Sequence, residues 1–286
     1  MTAVLLALVA AVTYGVSDFV GGIASRRVAA LRVVLVSYPV SLVIALAVAP
    51  LAGGSPTWST TMWGAVSGVA SGFAIWWFYL ALADGPMSVV SPLTAILVAG
   101  IPVVVGFAAG ERPGGLAIAG VVLALVAVVL VSRETPETAG EAVDGHRVGF
   151  TPKVAWLTVG AGVAFAVSFV GLDRIGDDSG LWPLAVSRAA ATAAVWVAAA
   201  GMGQFRFPPR SVVRLAIGIS VLDVIANGAM MYAFSGGMLS LVAVIGSLYP
   251  AATVLLAMTV LGERVGGLQK VGMGLAVAAV AMIAVA

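Results

Sequence analysis

The chain has 286 residues, of which 62% are hydrophobic and only 9% charged, with a mean hydropathy of +1.14. Soluble domains carry about 25% charged residues, so this composition excludes a water-exposed globule and makes lipid the solvent. The net charge of +2 comes from basic residues scattered singly or in pairs, which gives no basis for a nucleic-acid surface, and the lack of Cys excludes disulfides, thiol catalysis and Cys-based metal sites.

A bilayer core of about 30 Å takes about 20 apolar residues per helix. The first such stretch covers 3–24; it has no basic residue before it and Arg26-Arg27 after it, the pattern of a retained helix rather than a cleaved signal peptide. A second follows at 32–51, closed by Gly53-Gly54-Ser55-Pro56, and a third at 61–82, closed by Asp84-Gly85-Pro86. The fourth, 87–109, ends at Gly110-Glu111-Arg112, and the fifth is 114–132. Its stretch Leu116 to Val131 is apolar throughout, which disfavours the alternation of a β-barrel. The one polar run, Arg133 to Lys153, holds Glu134, Glu137, Glu141, Asp144 and the only His, His146. Beyond it the sequence predicts helices at 153–172, 182–201, 211–234, 238–261 and 266–286, with breaks at Pro208-Pro209 and Ser235-Gly236-Gly237. The expected parts are a first five-helix unit (1–132), a linker (133–152) and a second five-helix unit (153–286).

The two units are copies. Gly110-Glu111-Arg112 with Gly114-Gly115 recurs as Gly262-Glu263-Arg264 with Gly266-Gly267, and the copies align without a gap from Met87-Ser88 against Leu239-Ser240 to Val131 against Ile283. Orientation follows from the basic residues. Eleven lie in alternate connections: Arg26, Arg27, Arg32, Arg133, Arg147, Lys153, Arg206, Arg210, Arg214, Arg264 and Lys270. The remaining connections hold only Arg112 and Arg174. The positive-inside rule then puts the linker in the cytoplasm and both termini outside. An odd number of helices per copy inverts the second copy relative to the first. The expected fold is an all-α polytopic membrane protein with ten transmembrane helices in two inverted five-helix repeats.

This pattern resembles the EamA-type family of the drug/metabolite transporter superfamily, in which each five-helix copy ends in Gly-Glu-Arg and a last helix rich in small residues. Tyr14-Gly15-Val16-Ser17-Asp18-Phe19 is similar to that family's first helix, Arg188 falls at a common family position, and Pro250 lies thirteen residues before Glu263, where a Pro is usual. The first copy departs from this, with Pro102 four residues later than expected and Tyr38 at the place of Arg188. The resemblance implies a ten-helix carrier with a central cavity between the halves that exports small metabolites or drugs.

Charge inside lipid costs about 2.5–3.5 kcal/mol near a helix centre, so each instance needs a reason. Asp18 lies deep in the first helix, one turn after Tyr14. Asp223 is near the middle of the eighth, with Ser220 and Asn227 at helical spacing. Arg188 lies within the seventh, one turn from Thr192. One reading puts both aspartates in a cavity as substrate contacts or proton-titrating groups, with Arg188 as counter-ion or anion ligand; the other pairs one aspartate with Arg188 to make insertion tolerable. Tyr249 precedes Pro250, which removes a backbone donor in mid-membrane and frees a carbonyl. In Trp76-Trp77-Phe78-Tyr79 at most two side chains face one way, and Trp77 is the expected cavity residue. Trp58, Trp63, Trp156 and Trp182 fall at helix ends, as an interfacial belt requires. Glu111 and Glu263 also stand at helix ends, where capping of the free N–H groups that open the fifth and tenth helices is expected ahead of the alternative, proton coupling. Gly64, Gly68 and Gly72 form a packing stripe.

Enzyme signatures are missing: there is no His-Glu-x-x-His pattern, and His146 lies in the linker. The enzyme alternative is an intramembrane dyad of Asp18 and Asp223, without the flanking Gly-x-Gly that would support it. With no phosphate-binding loop and no expected cofactor, the reading is a secondary or facilitative carrier of the cytoplasmic membrane, working by alternating access. Its expected partners are a small-molecule substrate, membrane lipid and, as candidate coupling ion, the proton. A monomer already contains both halves.

Overall fold

The computed structural model describes residues 1–25, 28–84, 87–131, 151–175, 179–260 and 266–286, and every regular element among them is helical. The helices are α1 (Thr2–Ser25), α2 (Ala30–Val48, prolonged by a short 3-10 turn at Ala49–Ala52), α3 (Trp58–Asp84), α4 (Met87–Ala108), α5 (Gly115–Val131), α6 (Pro152–Asp173), α7 (Trp182–Gly201), α8 (Arg210–Ser235), α9 (Leu239–Gly246), α10 (Tyr249–Val260) and α11 (Gly267–Val285). Among the described residues, eight stretches are long and apolar enough to cross a membrane, α9 and α10 counting together, and Leu93–Ala108 and Gly115–Val131 are shorter apolar helices. The chain is a multi-pass membrane protein.

One element differs from its expected form. The stretch predicted as a single helix over 238–261 is two helices meeting at Ser247-Leu248. Pro250 has no N–H to donate to the Gly246 carbonyl, so the ladder is interrupted there. Shorter bonds bridge the break: Leu248 N–H donates to Ile245 O at 3.1 Å, Ala251 N–H to Leu248 O at 3.0 Å, and Ser247 Oγ to Val244 O at 2.8 Å. The first copy has Val98 at the aligned position, and α4 runs unbroken through Pro102.

Helices of one half pack chiefly on those of the other: α1 on α8 and α10, α3 on α6 and α7, α2 on α7 and α8, α4 on α6 and α9, and α5 on α11. Apolar surface gives little drive between helices in lipid, so close backbone approach supplies the packing energy. The Gly64, Gly68 and Gly72 stripe does this against α7, facing Pro183, Ser187 and Ala191 in turn. A Cβ at Gly68 would overlap the Ser187 carbonyl, whereas one at Gly72 would sit 3.4 Å from the Ala191 carbonyl. Gly68→Val is therefore expected to abolish a monodisperse peak in detergent size-exclusion chromatography, while Gly72→Ala elutes as the parent does. A normal peak for Gly68→Val would show that α3 and α7 are not held by this seam. Apolar side chains such as Leu5, Val43, Val104, Val122 and Val277 point outward, as a lipid-facing surface requires. Trp58 and Trp156, at helix starts, are 81% and 78% exposed.

Glu111 does not cap α5. Its Oε1 accepts from the N–H of Leu239 at 2.5 Å and its Oε2 from that of Ser240 at 3.1 Å, so it caps α9 in the other half. The cause is the turn that ends α4. Gly110 takes a φ of 100°, Glu111 N–H returns to the Gly106 carbonyl at 2.9 Å, and the carboxylate is directed back beneath α4, where α9 packs. A Cβ at Gly106 would strike that carboxylate, so the glycine leaves it room. Arg112 folds onto its own loop, donating to Phe107 O and Glu111 O. Glu263 and Arg264 lie outside the described residues. Glu111→Gln is expected to cost about 1 kcal/mol, by removing a negative charge from a helix N-terminus, and to lower the melting temperature by a few degrees. An unchanged melting curve would leave the cap without energetic weight.

Candidate functional site

Between the halves lies a cavity of about 100 Å³, lined from α1, α2, α3, α4, α6, α7, α8 and α10. Of the residues the sequence singled out, Tyr14, Asp18, Arg188, Asp223, Asn227 and Tyr249 all line it.

Arg188 is 1% exposed, and its charge is met within the bundle. Its Nη1 donates to both Asp223 Oδ1 and Oδ2 at 2.9 Å, and its Nη2 to Asn227 Oδ1 at 3.2 Å and Ser187 Oγ at 3.4 Å. Asn227 Nδ2 in turn donates to Asp223 Oδ1 at 3.0 Å and to the Asp223 carbonyl at 2.9 Å, one turn back on α8. The Tyr38 ring covers the guanidinium, with Cζ 5.4 Å from the ring centroid, and the Tyr38 hydroxyl donates to Ser71 O at 3.2 Å. Arg188 therefore pairs with Asp223 and not with Asp18. Its Nε is a buried donor with no partner among the described residues.

Asp18 is placed differently. No ion pair or hydrogen bond engages it among the described residues. Tyr14, Tyr79 and Tyr249 lie within reach of its charge. Two glycines of α1 set this neighbourhood: a Cβ at Gly21 would sit 2.9 Å from the Tyr79 hydroxyl, and one at Gly15 only 2.6 Å from the Tyr249 carbonyl. Gly15 thus seats the start of α10 on α1, and Thr253 Oγ1 secures it by donating to Gly15 O at 3.1 Å. The helix break places the Tyr249 ring in the cavity.

One expected site residue lies elsewhere. Trp77 packs on α6, its indole against Gly160, where a Cβ would be 2.9 Å away, and beside Phe73 with ring centroids 5.4 Å apart. Successive helical residues turn by about 100°, so the side chains that α3 presents to the cavity are Ser71, Ile75, Phe78 and Tyr79. Ser220 shares the α8 face of Asp223 but is spent on structure, donating to Ser37 O at 2.8 Å and Ala216 O at 2.7 Å. Tyr38, Tyr79 and the hydroxyl residues of α2, Ser37 and Ser41, were not singled out from sequence as site residues. The legible signal was that Tyr38 is the repeat mate of Arg188: α2 packs on α7, and the two positions meet. A second groove, formed by Val69, Phe73 and Trp76 of α3 with Ala190, Ala194 and Val197 of α7, carries almost no polar surface and suits lipid.

Ionisable side chains held in a central cavity of a multi-pass helical bundle mark a membrane transport protein. The EamA-like transporter family matches residues 1–133 and again residues 152–285, and the chain belongs to that family, whose members are transporters rather than enzymes. No curated protein matches the chain. A solved crystal structure of a protein superposes on it with a TM-score of 0.77 at 17% sequence identity, covering 99% of this chain and 96% of that one, a likeness of fold.

Proposed function

We propose that the chain is a secondary or facilitative carrier that exports small metabolites or drugs across the cytoplasmic membrane by alternating access. The observation that carries this reading is the cavity, to which both halves contribute charged and hydroxyl-bearing side chains that lipid alone would not tolerate. Ten spans, with α9 and α10 as one, form two inverted units at 1–132 and 153–286, joined by a cytoplasmic linker at 133–152. The packing pattern supports the pairing of two like units, because exchanging the halves turns α1 on α8 into α6 on α3, and α2 on α8 into α7 on α3. A monomer holds the whole pathway.

Solute, or a proton coupled to it, engages Asp18, the cavity carboxylate without a cation beside it among the described residues. Asp223 is the weaker candidate, since Arg188 occupies both its oxygens. That engagement also counts against the aspartyl-dyad enzyme, which needs two carboxylates sharing a proton. Liposomes containing only the purified protein test the reading: solute flux above that of empty liposomes is expected, and none across a broad panel of metabolites would end it.

Orientation is tested separately. Single cysteines placed at Ser55 and Thr138 in this Cys-free chain are expected to react with an impermeant maleimide on intact cells at position 55 only. Labelling at 138 instead would invert the topology.

A further inference from the structure

The cavity has two unlike poles. At one, the guanidinium of Arg188 is answered by the Asp223 carboxylate at 2.9 Å and by Asn227 at 3.2 Å. At the other, Asp18 has no ion pair or hydrogen bond among the described residues, and neither do the hydroxyls of Tyr79 and Tyr249 beside it. Among the described residues the lining thus carries two carboxylates and one cation, an excess of one negative charge. Four tyrosines and three phenylalanines face the same space.

Each feature selects by charge. A carboxylate at membrane depth calls for a cation. Aromatic ring faces are negative and attract cations, the more so away from water. Among the described residues the one cationic group an anion would meet is Arg188, whose charge Asp223 already balances, and Asp18 would repel an anion even where the tyrosine hydroxyls donate to it. A neutral solute would leave the Asp18 charge to be answered by a proton alone.

We propose that the transported solute is a small monocationic amine, its ammonium group on Asp18 and its apolar part against the tyrosine and phenylalanine rings. The assignment rests on the carrier reading above and names its substrate class. The room that Gly21 leaves for the Tyr79 hydroxyl makes Tyr79 the specificity residue at the ammonium end.

The test is equilibrium binding to the purified full-length protein in detergent at pH 8, by titration calorimetry, with three probes sharing one ring: benzylammonium, benzyl alcohol and benzoate. Benzylammonium is expected to bind at least about tenfold more tightly than the alcohol, a difference of about 1.4 kcal/mol, and benzoate not at all. Asp18→Asn is expected to bring benzylammonium down to the level of the alcohol while leaving the alcohol unchanged. Tyr79→Leu should weaken the amine several-fold more than the alcohol, and with the parent charge series it decides the matter if Asp18→Asn does not fold. Equal binding of the three probes, preference for benzoate, no amine binding at millimolar concentration, or amine affinity untouched by Asp18→Asn would each overturn the proposal. Amine-selective binding without amine flux in liposomes would keep the substrate class and sink the carrier reading. Flux of benzoate without flux of the amine would do the reverse.

Discussion

Asp223→Leu is expected to destabilise the bundle more than Arg188→Leu, and the double replacement to cost less than either. Arg188 is 1% exposed and cannot shed its proton, so without Asp223 it becomes a buried charge with no counter-ion. Breaking a buried pair from one side costs about 3–5 kcal/mol, whereas replacing both members with apolar groups is often neutral. Asp223 fares better alone, because its side chain is 19% exposed and borders the cavity. Melting temperatures of the parent, both single variants and the double variant in detergent supply the cycle. Additive losses would mean that the 2.9 Å contacts carry no coupling energy, and the pairing account would be withdrawn.

The second large effect is functional. Asp18→Asn keeps the shape of the side chain and breaks no hydrogen bond or ion pair among the described residues. Its melting temperature is accordingly expected not to fall below the parent's, since neutralising an unpaired carboxylate at membrane depth removes a cost and no contact. Flux in proteoliposomes, in contrast, should fall by about tenfold or more and lose its dependence on an imposed pH gradient, because a charge that solute or proton must meet is gone. Of the ionisable groups facing the same cavity, Arg188 and Asp223 are locked to each other, and Tyr14, Tyr38, Tyr79 and Tyr249 ordinarily titrate near pH 10. Parent-like flux with a parent-like pH profile in Asp18→Asn would remove Asp18 from the pathway.

Much of the helical layout could be read from sequence because lipid imposes a strong rule, roughly 20 apolar residues per crossing closed by turn residues. The stretch predicted at 182–201 matches α7 residue for residue. The break between α9 and α10 was half visible. Pro250 announced a lost hydrogen bond, but Pro102 announces the same in α4 and leaves that helix whole, so the outcome depends on neighbours that sequence does not supply. Partner choice was equally hidden. Helical spacing put Asp223 and Asn227 on one face, yet only the meeting of α2, α7 and α8 decides that Arg188 takes Asp223 and stacks on Tyr38. Trp77 and Glu111 were misdirected for one reason. A face is legible within a helix, but what lies opposite is not: Gly160 of α6 drew the indole, and the start of α9 drew the carboxylate.

The proline break bears on energetics as well as shape. In a carrier made of two identical inverted halves, swapping their conformations would turn the inward-facing form into the outward-facing one, and the two would be equal in energy. This chain has an interrupted helix in one half and a continuous one in the other, so that degeneracy is lifted. On the alternating-access reading proposed above, the break at residues 247–250 contributes to a resting preference for one face of the membrane.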